Sequence, residues 1–248
     1  MYHELGLPGR SLCQSDPGYT RYVLDASSFE AQMKFIKRDG WKALSVGQAL
    51  KFPAGPNVAV TFDDGCETDL LVAAPILLAL GFNATFYITC AFLETKGYLS
   101  KVQLKELSDL GVEIGSHSMT HAYLTDLDDD ALHRKIAESK TYLEQLLGKQ
   151  IEHFSCPGGR YDHRVAKVAK AAGYRTVATS RIHSNSAATD PYGLGRVAVM
   201  RGTTSDEFAG LCKGRGFWKM NLRNNLQQSA KHLLGNAVYD RARAAILK

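Results

Sequence analysis

Apolar positions along the chain follow two alternating periods. Short β-branched or aromatic runs recur at 57–62, 84–89, 112–116, 153–155, 174–179 and 196–200. Between them lie stretches with apolar residues at helical spacing, over 69–80, 100–110, 128–147 and 162–172. Each ends at a glycine: Gly81, Gly111, Gly148 and Gly173. Helix starts are also legible. Ser27-Ser28-Phe29-Glu30 and Ser100 with Gln103 fit capping boxes, and Thr204-Ser205-Asp206-Glu207 opens a further helix. Strands alternating with helices predict right-handed βαβ units around a parallel sheet, hence an α/β fold. For a chain of 248 residues a barrel is the natural closure.

Composition narrows the classes without changing the fold. A 45% hydrophobic and 22% charged chain is ordinary soluble protein, so disorder, collagen and coiled coil are excluded as global readings. The longest apolar run, 70–80, is interrupted by Pro75 and falls short of the roughly 20 residues of a membrane span. Net charge is +5, and its placement matters more than its size. Residues 213–248 hold eight basic side chains against one acid, Asp240, so the body before them is slightly negative. The body is therefore not a nucleic-acid binder. The expected division is a barrel over 1–210 and a basic amphipathic helical extension over 211–248. In that extension Phe217, Trp218, Met220 and Leu222 interleave with the cations. They suit either packing on the barrel or peripheral contact with an anionic surface such as the inner membrane.

Five cysteines at irregular spacings, with no CxxC pair, argue against a disulfide framework and a zinc ribbon. No charged start followed by an apolar core marks a signal peptide, so the cytoplasm is the expected compartment. The abrupt opening at Met1-Tyr2-His3 leaves room for an upstream segment.

The chemistry gathers at the C-terminal ends of the predicted strands, the face on which α/β barrels build their sites. Asp63-Asp64 closes the first run, His117 closes the third, and the 156–160 loop follows the fourth. Alone, Asp-Asp-Gly is ordinary turn chemistry and His117 with His121 two surface histidines. If 117–121 forms one helical turn, however, both imidazoles share a face. Two imidazoles and a carboxylate are the ligands of a catalytic zinc with an open position for water, and the other carboxylate is free to take that water's proton.

Thr61-Phe62-Asp63-Asp64-Gly65, then His117-Ser118-Met119-Thr120-His121, then Phe154-Ser155-Cys156-Pro157-Gly158-Gly159 resemble the motifs of the polysaccharide deacetylase family, which carries the NodB homology domain (carbohydrate esterase family 4-like). The resemblance spans about residues 1–202. It implies a distorted (β/α) barrel of about seven parallel strands, a divalent metal (most often Zn²⁺) and hydrolysis of N-acetyl groups on amino sugars. Carried over by motif, Asp63 is the general base and Asp64, His117 and His121 are the metal ligands. The implied partner is an N-acetylated carbohydrate.

The later motifs depart from the family. Ser155-Cys156-Pro157-Gly158-Gly159 stands where many members have Arg-Pro-Pro-Tyr-Gly, and Arg160 follows as a substitute. Pro157, Gly158, Gly159 and Arg160 are expected to border the substrate. No Leu-x-His-Asp ending occurs, which leaves His183 as the candidate general acid. Arg196, opening the last run, is a candidate for orienting Asp63 or binding substrate. Cys66 and Cys156 flank the site without the histidine partner a thiol nucleophile needs. Metal-assisted attack of water on an acetyl group is the leading reading. The alternatives are another C–N hydrolase on the same barrel, such as a deformylase, and a glycan-binding module that has lost its chemistry.

Overall fold

The computed structural model describes residues 1–52, 55–218 and 220–222. Its strands are β1 (Leu5–Gly6), β2 (Leu24–Asp25), β3 (Lys42–Leu44), β4 (Asn57–Ala59), β5 (Thr61–Asp64), β6 (Thr85–Ile88), β7 (Glu113–Ser116), β8 (His153–Ser155) and β9 (Thr176–Ala178). All pairing between them is parallel: β5-β6-β7-β8-β9 form one sheet, while β1-β2 and β3-β4 are two-stranded. Among the described residues the main sheet thus has five strands, fewer than the seven expected. Both its edges carry further backbone bonds. Tyr2 N–H donates to Thr61 O (2.8 Å) and Asp63 N–H to Tyr2 O (3.0 Å) beside β5. Beside β9, Leu194 N–H donates to Val177 O (2.9 Å) and Thr179 N–H to Leu194 O (2.8 Å). Val199 N–H reaches Met1 O (3.0 Å) and the Met1 amine reaches Val197 O (2.9 Å). The expected strand at 196–200 is therefore an extended segment tied to the N-terminus.

Helices fill the crossovers: α1 (Pro17–Thr20), α2 (Ala26–Arg38), α3 (Val46–Lys51), α4 (Ala74–Ala79), α5 (Lys101–Asp109), α6 (Asp129–Leu147), α7 (His163–Ala171) and α8 (Ser205–Cys212). The predicted caps hold at α5, with its Ser100/Gln103 box, and at α6, between Asp128 and left-handed Gly148. Two local expectations fail. Helix α2 begins one residue before Ser27, at an Asp25 N-cap without a side-chain cap bond, so Ser27 lies inside it. The expected helix over 69–80 opens as a wide π-turn, Asp69–Ala73, before α4. Pro75 has no N–H to give an i→i−4 bond, so a regular α-ladder cannot run through it. The run at 57–62 also divides: β4 pairs with β3 and β5 with β6, with Val60 bonding to both neighbours between them.

The apolar faces converge on one core containing Phe29, Phe62, Phe86, Leu104, Ile136, Phe154 and Val165. Phe62 and Phe86 stack at 4.9 Å across β5 and β6. Alternation along β5 then turns Asp63 away from Phe62's side of the sheet. Helix α8 joins the same body through Phe208, edge-on to Phe35 of α2 at 6.1 Å, and crosses the boundary expected at 210. Lys219 and residues 223–248, most of the expected basic extension, lie outside the described residues. Among the described residues no helix is long and apolar enough to cross a membrane.

Candidate metal and active site

Strand β5 delivers both carboxylates to one end of the sheet. Both are buried, Asp63 at 2% and Asp64 at 4% exposure, yet their surroundings are opposite. Arg196 grips Asp63 bidentately, Nη1 to Oδ1 at 2.7 Å and Nη2 to Oδ2 at 2.9 Å. The same guanidinium donates to Ser155 Oγ (2.7 Å), Thr61 Oγ1 (3.2 Å) and Thr179 O (3.0 Å), and Ser155 Oγ donates to Asp63 Oδ2 at 3.3 Å. Burial alone would raise the Asp63 carboxyl, but the Arg196 charge and hydrogen bonds hold it well below the usual carboxylate range. It is an ion at every working pH.

Asp64 has no such partners. It sits in the left-handed region at φ 84, and its Oδ1 is buried without a hydrogen bond among the described residues. Burial, then repulsion from Asp63, pushes its carboxyl up to about 6. The bare Oδ1 faces two imidazoles, 3.7 Å from His117 Nε2 and 3.5 Å from His121 Nε2.

The histidines do not share a helical turn. Residues 117–121 form an irregular turn with Ser118 at φ 73. Ser118 N–H donates to Ser116 Oγ (3.2 Å) and Ser118 O accepts from Cys90 N–H (3.2 Å), which holds the turn. His117 Nδ1 donates to Ser155 O at 2.9 Å, since a carbonyl only accepts, so its Nε2 keeps a free lone pair toward Asp64. Burial lowers His117 to about 3 and lowers His121 as well. The contacts with Asp64 are therefore between a carboxyl and neutral imidazoles, not ion pairs. His121 stays at the rim with its ring stacked on Phe92 at 5.9 Å. One donor atom from each of Asp64, His117 and His121 lies within 4.8 Å of the others. Neutral imidazole nitrogens and an unsatisfied carboxylate oxygen suit a divalent ion of the zinc class.

Of the remaining expected residues, Arg196 alone joins the carboxylates among the described residues. Arg196 is spent on Asp63 and its supports, which favours the orienting alternative for it over substrate contact. Pro157 is buried, and Gly158 and Gly159 have positive φ. A side-chain carbon on Gly158 would come 2.6 Å from the Tyr123 ring, and one on Gly159 2.1 Å from Ser180 Oγ. The glycine pair therefore lets three loops pack together. Exposed Arg160 lies over the Tyr123 ring at 4.7 Å. His183 Nδ1 is 3.1 Å from Ser184 O, and its ring lies against Gly195. Neither contact belongs to the carboxylate and imidazole cluster.

Sequence reasoning missed Ser155. Its hydroxyl joins Asp63 to Arg196 while its carbonyl orients His117, at the position where the family's arginine would stand. The guanidinium that holds Asp63 comes instead from Arg196, in the 194–199 segment. Only the alternation of β8, which puts Ser155 on the rim side, could have hinted at it. His3, on the extended N-terminal segment beside β5, is also electrostatically coupled to both carboxylates, although burial dominates and lowers it.

The family profile described as polysaccharide deacetylase matches residues 52–177. A Bacillus subtilis (strain 168) protein named "Putative polysaccharide deacetylase YxkH" is 30% identical over 186 residues, 73% of this chain and 67% of that protein. A Bacillus cereus peptidoglycan-N-acetylglucosamine deacetylase is 36% identical over 121 residues, 48% of this chain and 54% of its own length. The chain thus spans between about half and two thirds of these relatives. The crystal structure of BC0361, a polysaccharide deacetylase from Bacillus cereus, superposes with a TM-score of 0.74 at 25% identity, covering 85% of this chain and 67% of that one. The chain belongs to the polysaccharide deacetylase family, hydrolases of carbon–nitrogen bonds other than peptide bonds.

Proposed function

We propose that the protein removes N-acetyl groups from an amino sugar in a glycan, with a divalent ion held by Asp64, His117 and His121. The observation that carries this reading is the buried Asp64 Oδ1, which has no hydrogen-bond partner among the described residues and faces the Nε2 atoms of both imidazoles. An unpaired buried carboxylate costs several kcal/mol, a cost that a bound cation removes. At such a site a divalent ion supplies polarisation of the amide carbonyl and a water acidic enough to attack near neutral pH.

The chain's own residues do the rest. Asp63, kept ionised and fixed by Arg196, accepts the proton of the attacking water. His117 is locked in one tautomer by Ser155 O, so its Nε2 needs no reorganisation to act as a ligand. His183, in the loop after β9, is proposed as the acid that protonates the departing amine. The extended segments at 1–3 and 194–199 are read as the two staves that complete a seven-strand barrel. That reading is supported by their backbone bonds to β5, to β9 and to each other. The substrate class is supported by the relative named as a peptidoglycan-N-acetylglucosamine deacetylase.

The test is acetate release from N-acetylglucosamine oligomers and from peptidoglycan. Release is expected to stop after chelation and return on adding Zn²⁺. Release unaffected by complete chelation would sink the metal assignment. Absence of acetate from every N-acetylated glycan tried, with metal bound, would sink the deacetylase reading.

A further inference from the structure

We propose that Cys13 and Cys66 form a disulfide bond that straps residues 10–14 onto the loop leaving the catalytic strand. Their spacing of 53 residues carries no motif, yet the two sulfurs lie 3.5 Å apart. Cys66 follows Asp64 by two residues and is fully buried, whereas Cys13 is partly exposed in a loop without regular structure.

Several contacts already hold the strap in place. Arg10 pairs with Glu67, and Gln14 Nε2 donates to Tyr98 Oη at 2.7 Å. The Cys13 thiol donates to Gly97 O at 3.1 Å. Gly97 leaves room for this approach, because a side-chain carbon there would sit 2.9 Å from Cys13 Sγ and 3.1 Å from its Cα. Bonding distance between sulfurs is about 2 Å, so an inward shift of the Cys13 loop by about 1.5 Å closes the pair.

Glu4 lies close enough to make a cation the competing occupant, with one donor atom each from Glu4, Cys13 and Cys66 within 4.8 Å. Its carboxylate is already used, however. Oε1 and Oε2 accept from Cys13 N–H at 3.2 and 3.0 Å, and Oε2 accepts from Tyr19 Oη–H at 3.0 Å. Even counting Glu4, the cluster offers three donors, one short of a closed tetrahedral zinc site.

Oxidation by a small-molecule disulfide balances in two exchanges. Cys13 Sγ attacks the reagent, whose S–S bond breaks; a mixed disulfide forms, and the released thiol carries away the Cys13 proton. Cys66 Sγ then attacks Cys13 Sγ, forming the internal bond and releasing a second thiol with the Cys66 proton. Two protein thiols are oxidised and one reagent disulfide is reduced. Such a bond persists in an oxidising compartment, so its presence in protein from cells would contradict the cytoplasmic expectation.

The test uses the full chain incubated with oxidised glutathione, then alkylated under denaturing conditions and mapped by mass without reduction. The expected product is one peptide pair joining Cys13 to Cys66, lighter by two hydrogen atoms, with Cys90, Cys156 and Cys212 alkylated. The oxidised protein should melt at least about 5 °C above the reduced one, because the cross-link closes a long loop. Cys13→Ser should abolish both the peptide pair and the difference in melting. Alkylation of both cysteines after oxidation, glutathione retained on Cys13 alone, or a pair formed with another cysteine would overturn the proposal. So would zinc bound by the wild type and lost from Cys13→Ser, which would make the cluster a cation site.

Discussion

Asp63 and Asp64 are neighbours on one strand, equally buried, and built for opposite purposes. Around Asp63 every oxygen is satisfied: Arg196 takes both and Ser155 adds a third bond. Around Asp64 no described residue hydrogen-bonds to Oδ1, and two neutral imidazoles face it. A saturated buried carboxylate stays charged and still; an unsaturated one is raised toward neutrality until a cation arrives. The contrast separates a base from a ligand more sharply than the Asp-Asp pair could by itself.

The largest effect should come from Asp63. Asp63→Asn keeps the shape but removes the base, so acetate release should fall by roughly 10² to 10⁴ while metal content stays normal. Near-normal turnover would mean that the Arg196-bound carboxylate is only structural.

Next is its anchor. Arg196→Met should leave Asp63 as an uncompensated buried charge and cost about 3–5 kcal/mol in denaturant unfolding. A loss below about 1 kcal/mol would show that Asp63 is not relying on that guanidinium.

Asp64 should respond in the opposite sense. In chelated protein its folded pKa of about 6 exceeds the ordinary 3.8, so the folded state holds a proton that the unfolded chain has released. Stability from this group is present below pH 3.8 and is lost as pH rises through about 6. Metal-free Asp64→Asn should therefore match the wild type near pH 4 and exceed it by about 3 kcal/mol above pH 6. Asn also tolerates the left-handed backbone at this position. An advantage that fails to grow with pH would contradict the account of Asp64 as an unsatisfied carboxyl.

The smallest change is expected at Ser155. Ser155→Ala removes one hydroxyl between Asp63 and Arg196 but keeps the carbonyl that orients His117, and should cost about 1 kcal/mol. A loss of metal in this variant would show that the two halves of the site are not separable in this way.

Much of this was legible in the chain. Asp63, Asp64 and His117 end hydrophobic strands, a local pattern that places them on one rim without knowledge of the fold. What escaped depended on distant segments meeting. The Ser155 hydroxyl meets Arg196 only because that residue crosses over from the 194–199 segment, and Cys13 meets Cys66 only because the 10–14 loop folds over it. The helical turn that would have put both imidazoles on one face does not form, because Ser118 takes a positive φ, stabilised by Ser116 and Cys90, which spacing does not encode. The π-turn at Asp69–Ala73 was foreshadowed by Pro75 but not specified by it.

The division of labour between the adjacent carboxylates is tested most directly by metal stoichiometry in purified wild type, Asp63→Asn, Asp64→Asn and His121→Ala after dialysis against a weak chelator. The account predicts one zinc-class ion per chain in the wild type and Asp63→Asn, and little or none in Asp64→Asn and His121→Ala, with all four folded. Equal metal in Asp64→Asn and the wild type, or loss of metal from Asp63→Asn, would contradict it.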